Sequence, residues 1–153
     1  MSRSPCTASV TDIGGEFAAD SDSVTVDNTD PALSVAITSE DDPPTVVSTL
    51  TCVATASDVD EEDLTLAYAW TIDDTDAGTD ATLTLTPDAV ESDSTVVCTV
   101  TATDTSGGES SDAASVTIGN TAPEVTSVTL NPTPIYTNDT LTVTATATDA
   151  DGD

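Results

Sequence analysis

The sequence predicts an all-β fold made of antiparallel β-sandwich repeats in tandem, and two observations carry that expectation. Apolar and polar residues alternate with period two through most of the chain. Thr and Val are abundant, as suits half-buried strands on a pleated surface. The chain also repeats itself. Cys6-Thr7-Ala8-Ser9-Val10-Thr11-Asp12 returns as Cys98-Thr99-Val100-Thr101-Ala102-Thr103-Asp104, and Asn28-Thr29-Asp30-Pro31 as Asn120-Thr121-Ala122-Pro123, each 92 positions on. The run from Leu50 to Asp58 returns from Leu141 to Asp149, 91 positions on. A period of this size matches one sandwich domain, which takes roughly 100 residues. The expected organisation is therefore a C-terminal fragment of one repeat over 1–28, a complete sandwich over 29–120 and an N-terminal fragment of the next over 121–153. On this reading the chain is a segment of a longer array.

Within the complete copy, each strand follows from its alternation. Leu33, Val35 and Ile37 share one face of a first strand, A. Leu50, Cys52, Ala54 and Ala56 point inward on B, and Leu64, Leu66, Tyr68, Trp70 and Ile72 on C. A weak D precedes a short E with Leu83 and Leu85. Val96, Cys98, Val100 and Ala102 line F, and Val116 and Ile118 line G. Asp41-Asp42-Pro43-Pro44, Asp73-Asp74, Pro87-Asp88 and Gly107-Gly108 supply the turns. No segment has the pattern of a long amphipathic helix.

Composition then removes whole classes of function. Arg3 is the single basic residue against 29 Asp and Glu, giving a net charge of -28. Nucleic-acid affinity comes mostly from Lys and Arg displacing counterions, so this surface repels phosphate backbones, and anionic membranes on the same ground. Its natural small partners are divalent cations. No stretch approaches the roughly 20 apolar residues needed to span a bilayer, so no membrane insertion is expected. The first residues lack the apolar core of a signal peptide, which alone would favour the cytoplasm; the segment reading overrides it. With no His and no Lys, general acid–base chemistry has little to work with, and paired carboxylates on sandwich turns lack a cleft. No enzyme is expected. Acidic composition with few aromatics also allows disorder, chiefly at the two ends.

The acidic loops carry the candidate site. Ca²⁺ takes six to eight hard oxygen ligands, and alternate carboxylates on a bent loop bring several to one point. Asp149-x-Asp151-Gly152-Asp153 has that spacing, and Asp58-x-Asp60-x-Glu62 stands at the equivalent place in the complete copy. In a sandwich the B–C and F–G loops lie at the end where strand A begins. Asp58, Asp60 and Glu62 should therefore meet Asp104 and the linker residues Asp27, Asn28 and Asp30. A second junction should gather Asn120, Asp149, Asp151 and Asp153. The competing reading is that these carboxylates are solvated turns or part of a salt-adapted surface. Glu40, Asp41, Asp42, Asp73, Asp74 and Asp76 should sit at the opposite end or on edges, where edge charges guard against aggregation. Asn138-Asp139-Thr140 is an N-glycosylation sequon by pattern.

These motifs give the chain its likeness. Asn120-Thr121-Ala122-Pro123 opening a repeat, Thr146-Ala147-Thr148-Asp149-Ala150-Asp151-Gly152-Asp153 after strand B and Thr101-Ala102-Thr103-Asp104 after strand F resemble the signatures of tandem Ig-like and cadherin-like repeats in bacterial surface and secreted proteins. The cadherin likeness implies calcium held between neighbouring repeats, stiffening the string. The Ig likeness implies that Cys52 on B and Cys98 on F form a disulfide against Trp70 on C, and hence an oxidising, extracellular compartment. Two separate buried thiols are the alternative. Val96 stands where antibody-type domains carry their strand-F tyrosine, and cadherin repeats ordinarily lack a B–F bridge, so the chain departs from both patterns. Three functional readings follow: a spacer or stalk of a surface adhesin or fibre; a module recognising a glycan or protein; and a subunit packing against identical chains in a filament. The expected partners are the neighbouring repeats of the same chain.

Overall fold

A computed structural model describes residues 2–60 and 63–152. Among them the fold is all-β, with eleven strands and no helix. Strands β3 (Ala32–Thr38), β4 (Thr49–Ser57) and β7 (Thr82–Thr84) form a sheet in the order β3-β4-β7. A second sheet runs β6-β5-β8-β9, from β5 (Thr65–Ile72), β6 (Thr75–Gly78), β8 (Thr95–Thr103) and β9 (Glu109–Thr117). All pairings are antiparallel. These two sheets make the expected sandwich, with β3, β4, β5, β7, β8 and β9 in the A, B, C, E, F and G positions.

The core is where the alternation points. Leu50, Cys52, Trp70, Leu85, Val96, Cys98, Val100 and Ile118 are buried, with Leu33, Val35, Ile37, Leu66, Tyr68 and Ile72 packed against them. Cys52 and Cys98 are bonded across the sheets, with Cα atoms 6.3 Å apart. Trp70 lies opposite Cys98 on the neighbouring strand. Its indole N–H donates to the Asp80 carbonyl at 2.8 Å, which satisfies the polar end of a ring only 1 % exposed. Val46 and Val90 are buried as well, although both lie in loops, where no periodicity marks them.

One strand falls differently from expectation. The segment before E does not join the sheet of A, B and E as a D strand. Asp73 and Asp74, both at positive φ (47° and 66°), make a two-residue turn that folds β6 back onto β5. The chain then passes directly from Gly78 into β7 at Thr82. The sheet of β3, β4 and β7 thus ends at β7, with no strand beyond it among the described residues.

Charge is sorted by position. The outward residues of β3, β4, β5 and β8 are only Thr, Ser, Ala and Val. In the sandwich strands the acidic residues are Asp76, Glu109 and Asp112, on β6 and β9, the two edges of the four-stranded sheet. Asp41, Asp42, Asp73 and Asp74 occupy the loops at the end opposite the start of β3, as expected. Asp112 has a structural task. Its carboxylate accepts the Val35 N–H at 3.0 Å and closes the seam between β3 and β9.

Two hairpins flank the sandwich, each a two-stranded sheet of its own: β1 (Ser2–Thr11) with β2 (Phe17–Val26), and β10 (Glu124–Asn131) with β11 (Thr142–Thr148). The first reproduces β8–β9 pair for pair. Val10↔Ala18 corresponds to Ala102↔Ser110, Cys6↔Asp22 to Cys98↔Ala114, and Ser4↔Val24 to Val96↔Val116, each displaced by 92 positions. The second follows β3–β4 from Glu124↔Thr148 until a bulge between Val125 and Ser127 adds a residue. Both leave their apolar residues in water: Phe17 is 68 % exposed and Val143 62 %. Cys6, at the position equivalent to Cys98, is exposed and unbonded.

Candidate functional site

The site is built on the turn from β8 to β9. Asp104 Oδ1 accepts the backbone N–H groups of Ser106 at 2.9 Å and Gly108 at 2.8 Å. Asp104 N–H donates to the Gly108 carbonyl at 3.0 Å. Gly107 takes φ +94°, a conformation L side chains rarely adopt. The second carboxylate oxygen, Oδ2, accepts the Asn28 side-chain amide at 2.8 Å. Asp104 is only 6 % exposed. The Asn28 amide holds its pKa below the usual carboxylate value of 3.8, with help from the turn amides, while burial opposes the shift.

Gly108 makes the convergence possible. A Cβ there would stand 2.5 Å from Asp104 Oδ2 and 2.7 Å from both Asn28 Nδ2 and Asp30 Oδ1. The linker, the turn and Asp30 thus meet over one unsubstituted Cα. On the neighbouring loop, Asp58 Oδ1 accepts the Asp60 N–H at 2.7 Å, and Asp60 Oδ2 accepts the Thr29 N–H at 2.8 Å. Asp58 therefore shapes the loop, and Asp60 clasps the linker backbone. Asp58 Oδ2 is buried and accepts no hydrogen bond among the described residues. A buried carboxylate oxygen without a partner is costly in so acidic a molecule, and a cation is the natural remedy.

The same clasp recurs at the other end of the sandwich. Asp149 Oδ1 accepts the Asp151 N–H at 2.8 Å, and Asp151 accepts both the N–H and the hydroxyl of Thr121. These residues are the 91- and 92-position equivalents of Asp58, Asp60 and Thr29. Asn120 is exposed, its amide donating to the Thr121 carbonyl at 3.2 Å. Ala150, in the middle of this loop, packs against the sandwich core, whereas its counterpart Val59 is 76 % exposed.

Of the predicted site residues, Asn28, Asp30, Asp58, Asp60 and Asp104 lie in one group, and Asn120, Asp149 and Asp151 in another. Asp27 is exposed and makes no hydrogen bond to the first group among the described residues. Glu62 and Asp153 lie outside the described residues. No three His, Cys, Asp or Glu side chains among the described residues stand in an arrangement ready to hold a metal ion. A Ca²⁺ ion here would therefore rely on Asn28, backbone carbonyls and water beside the carboxylates, all of which calcium accepts.

No protein-family model, curated protein or solved structure matches this chain. The site stands on its own geometry.

Sequence reasoning missed the Thr29 and Thr121 amides, because backbone groups leave no mark in composition. It read Gly108 only as part of a turn. The paired Gly107-Gly108 beside an acidic residue was the available signal: one glycine serves the turn, the second clears the space. It missed Asp112 as well. No described helix is long and apolar enough to cross a membrane.

Proposed function

We propose that this chain is a structural spacer, one stretch of the stalk of an extracellular surface adhesin or fibre, stiffened by Ca²⁺ where successive repeats meet. The observation that carries the reading is the recurrence of one clasp. An aspartate shapes a loop, and the aspartate two residues on grips the backbone N–H of a Thr in the linker ahead of a strand, at Asp58–Asp60–Thr29 and again at Asp149–Asp151–Thr121. A device repeated at the period of the sequence suits a string of like units in which each touches its neighbours. The disulfide supports an oxidising compartment.

The parts divide the work. Asp104 rigidifies its turn and holds Asn28, and Asp60 pins the linker one residue further on. The carboxylate oxygens of this group, the buried free Oδ2 of Asp58 first among them, would meet the ion together with Asn28, backbone carbonyls and water. The ion would supply positive charge between carboxylates that otherwise repel one another, making the compact junction the favoured state. Small-angle scattering in millimolar Ca²⁺ and in chelator tests the reading. Stiffened junctions predict a narrower distribution of particle lengths with calcium. Superimposable curves would remove the stiffening element.

A second reading is favoured by a different observation. The uncharged outward faces of the sandwich strands are the surfaces on which two such chains approach without opposing carboxylates, as a filament of laterally packed copies requires. Electron microscopy of native material separates isolated stalks from bundled fibres.

A further inference from the structure

The two seams of the sandwich are not alike. Where β3 meets β9, the Asp112 carboxylate bridges the edges. Where β7 faces β6, nothing comparable closes the gap among the described residues, and a groove of about 640 Å³ opens there. Its floor is apolar, from Ile72, Leu83, Leu85 and Val90, and its rim is acidic. The Asp73 carboxylate is already engaged by the Thr95 N–H at 2.8 Å. The carboxylates of Asp76, Asp88 and Glu91 accept no hydrogen bond among the described residues.

The edge beside this groove is chemically open. The Cys52 N–H reaches the Ala81 carbonyl and the Leu85 N–H the Ser48 carbonyl, so the odd-numbered residues of the β7 segment turn their backbone groups toward β4. Thr82 and Thr84, between them, turn theirs outward, and β7 has no second neighbour among the described residues. Sandwiches of this kind commonly carry a further strand at that position. Here the chain crosses from β6 to β7 without making one.

We infer that the β7 edge and its groove form a strand-addition site for an extended, positively charged polypeptide segment with alternating apolar residues. The main chain of the guest would pair with Thr82 and Thr84, its apolar side chains would enter the groove over Leu83 and Leu85, and its Lys or Arg side chains would meet Asp76, Asp88 and Glu91. Charge names the occupant. A second copy of this chain has one basic residue to offer and 29 acidic ones, so the rim repels copies of itself and admits a cationic strand. The groove shares no residue with either clasp, and the Asp58–Asp60 clasp lies at the other end of the sandwich.

The test is an amide-shift titration of the intact chain with a nine-residue peptide of alternating Val and Lys. The same peptide N-methylated on the bonds that would pair serves as the main-chain control. Perturbations centred on Thr82, Thr84 and the 75–78 strand are expected, with binding weakened about tenfold by N-methylation and by Asp76→Lys with Glu91→Lys. A charge-matched pair elsewhere, Glu16→Lys with Glu124→Lys, should change affinity less than about twofold. Shifts spread over the acidic loops, equal binding of the N-methylated peptide, or equal weakening by the control pair would each overturn the proposal.

Discussion

The turns at Asp12 and Asp104 are the same object in two settings. In each, Oδ1 of the aspartate accepts two backbone amides, from Gly14 and Glu16 in one and Ser106 and Gly108 in the other. In each, a glycine sits at positive φ, Gly15 or Gly107. The strands leading in and out share a register. Yet β8–β9 is packed against a second sheet and its turn anchors Asn28, while β1–β2 is exposed along its length. Strand, register and turn are therefore local properties, whereas burial and site are not. A hairpin acquires a core only from a facing sheet. It acquires this site only where a linker passes and a glycine makes room: Glu16 stands where Gly108 does.

The two hairpins should differ measurably. Hydrogen exchange carries the largest expected effect. Amides of β8 should be protected about a thousandfold or more over their equivalents in β1, since only the former must wait for the sandwich to open; similar protection would mean that the first hairpin is packed after all. Next comes the disulfide. Replacing Cys52 and Cys98 together by Ala should cost about 4 kcal/mol in guanidinium unfolding, by the loop-closure argument for a separation of 46 residues. Cys6→Ala, at the matching position, should change stability by less than about 0.5 kcal/mol.

The glycine comparison is smaller. Gly108→Ala should cost about 1 kcal/mol, because the atoms it would displace are flexible side-chain ends. It should scatter Asn28, Asp30 and Asp104 all the same, so calcium affinity should fall more than stability does. The smallest effect is one of pH. Asp104 titrates below 3.8 in the folded state, so its stabilisation is present above that value and is lost as pH falls through the folded pKa. As pH falls from about 5 through the carboxylate range, Asp104→Asn should lose less stability than the parent chain.

The sandwich was legible because its signals are periodic. Leu50, Cys52, Val96, Cys98 and Trp70 are buried as their alternation requires, and the Ig likeness paired the right sulfurs. Both clasps were legible in outline, since topology alone brings the loop of Asp58 and Asp60 to the linker. What escaped was set by geometry between elements. The Asp73-Asp74 turn decides which sheet β6 joins, through the twist of a two-residue hairpin. Val46 and Val90 are buried in loops without a pattern. The open seam at β7 exists because a strand that the alternation faintly suggested pairs elsewhere.

The most direct test of the account is isothermal titration with Ca²⁺ on the parent chain and on Asp58→Ala with Asp60→Ala. The account predicts a dissociation constant on the order of 10⁻⁴ to 10⁻³ M, in the range of extracellular modules. At 10 mM ion that corresponds to about 1.4 to 2.7 kcal/mol of added stability. The double variant should retain, at most, the signal of the Asp149–Asp151 clasp. No heat from the parent at millimolar calcium, or equal heat from the double variant, would contradict it.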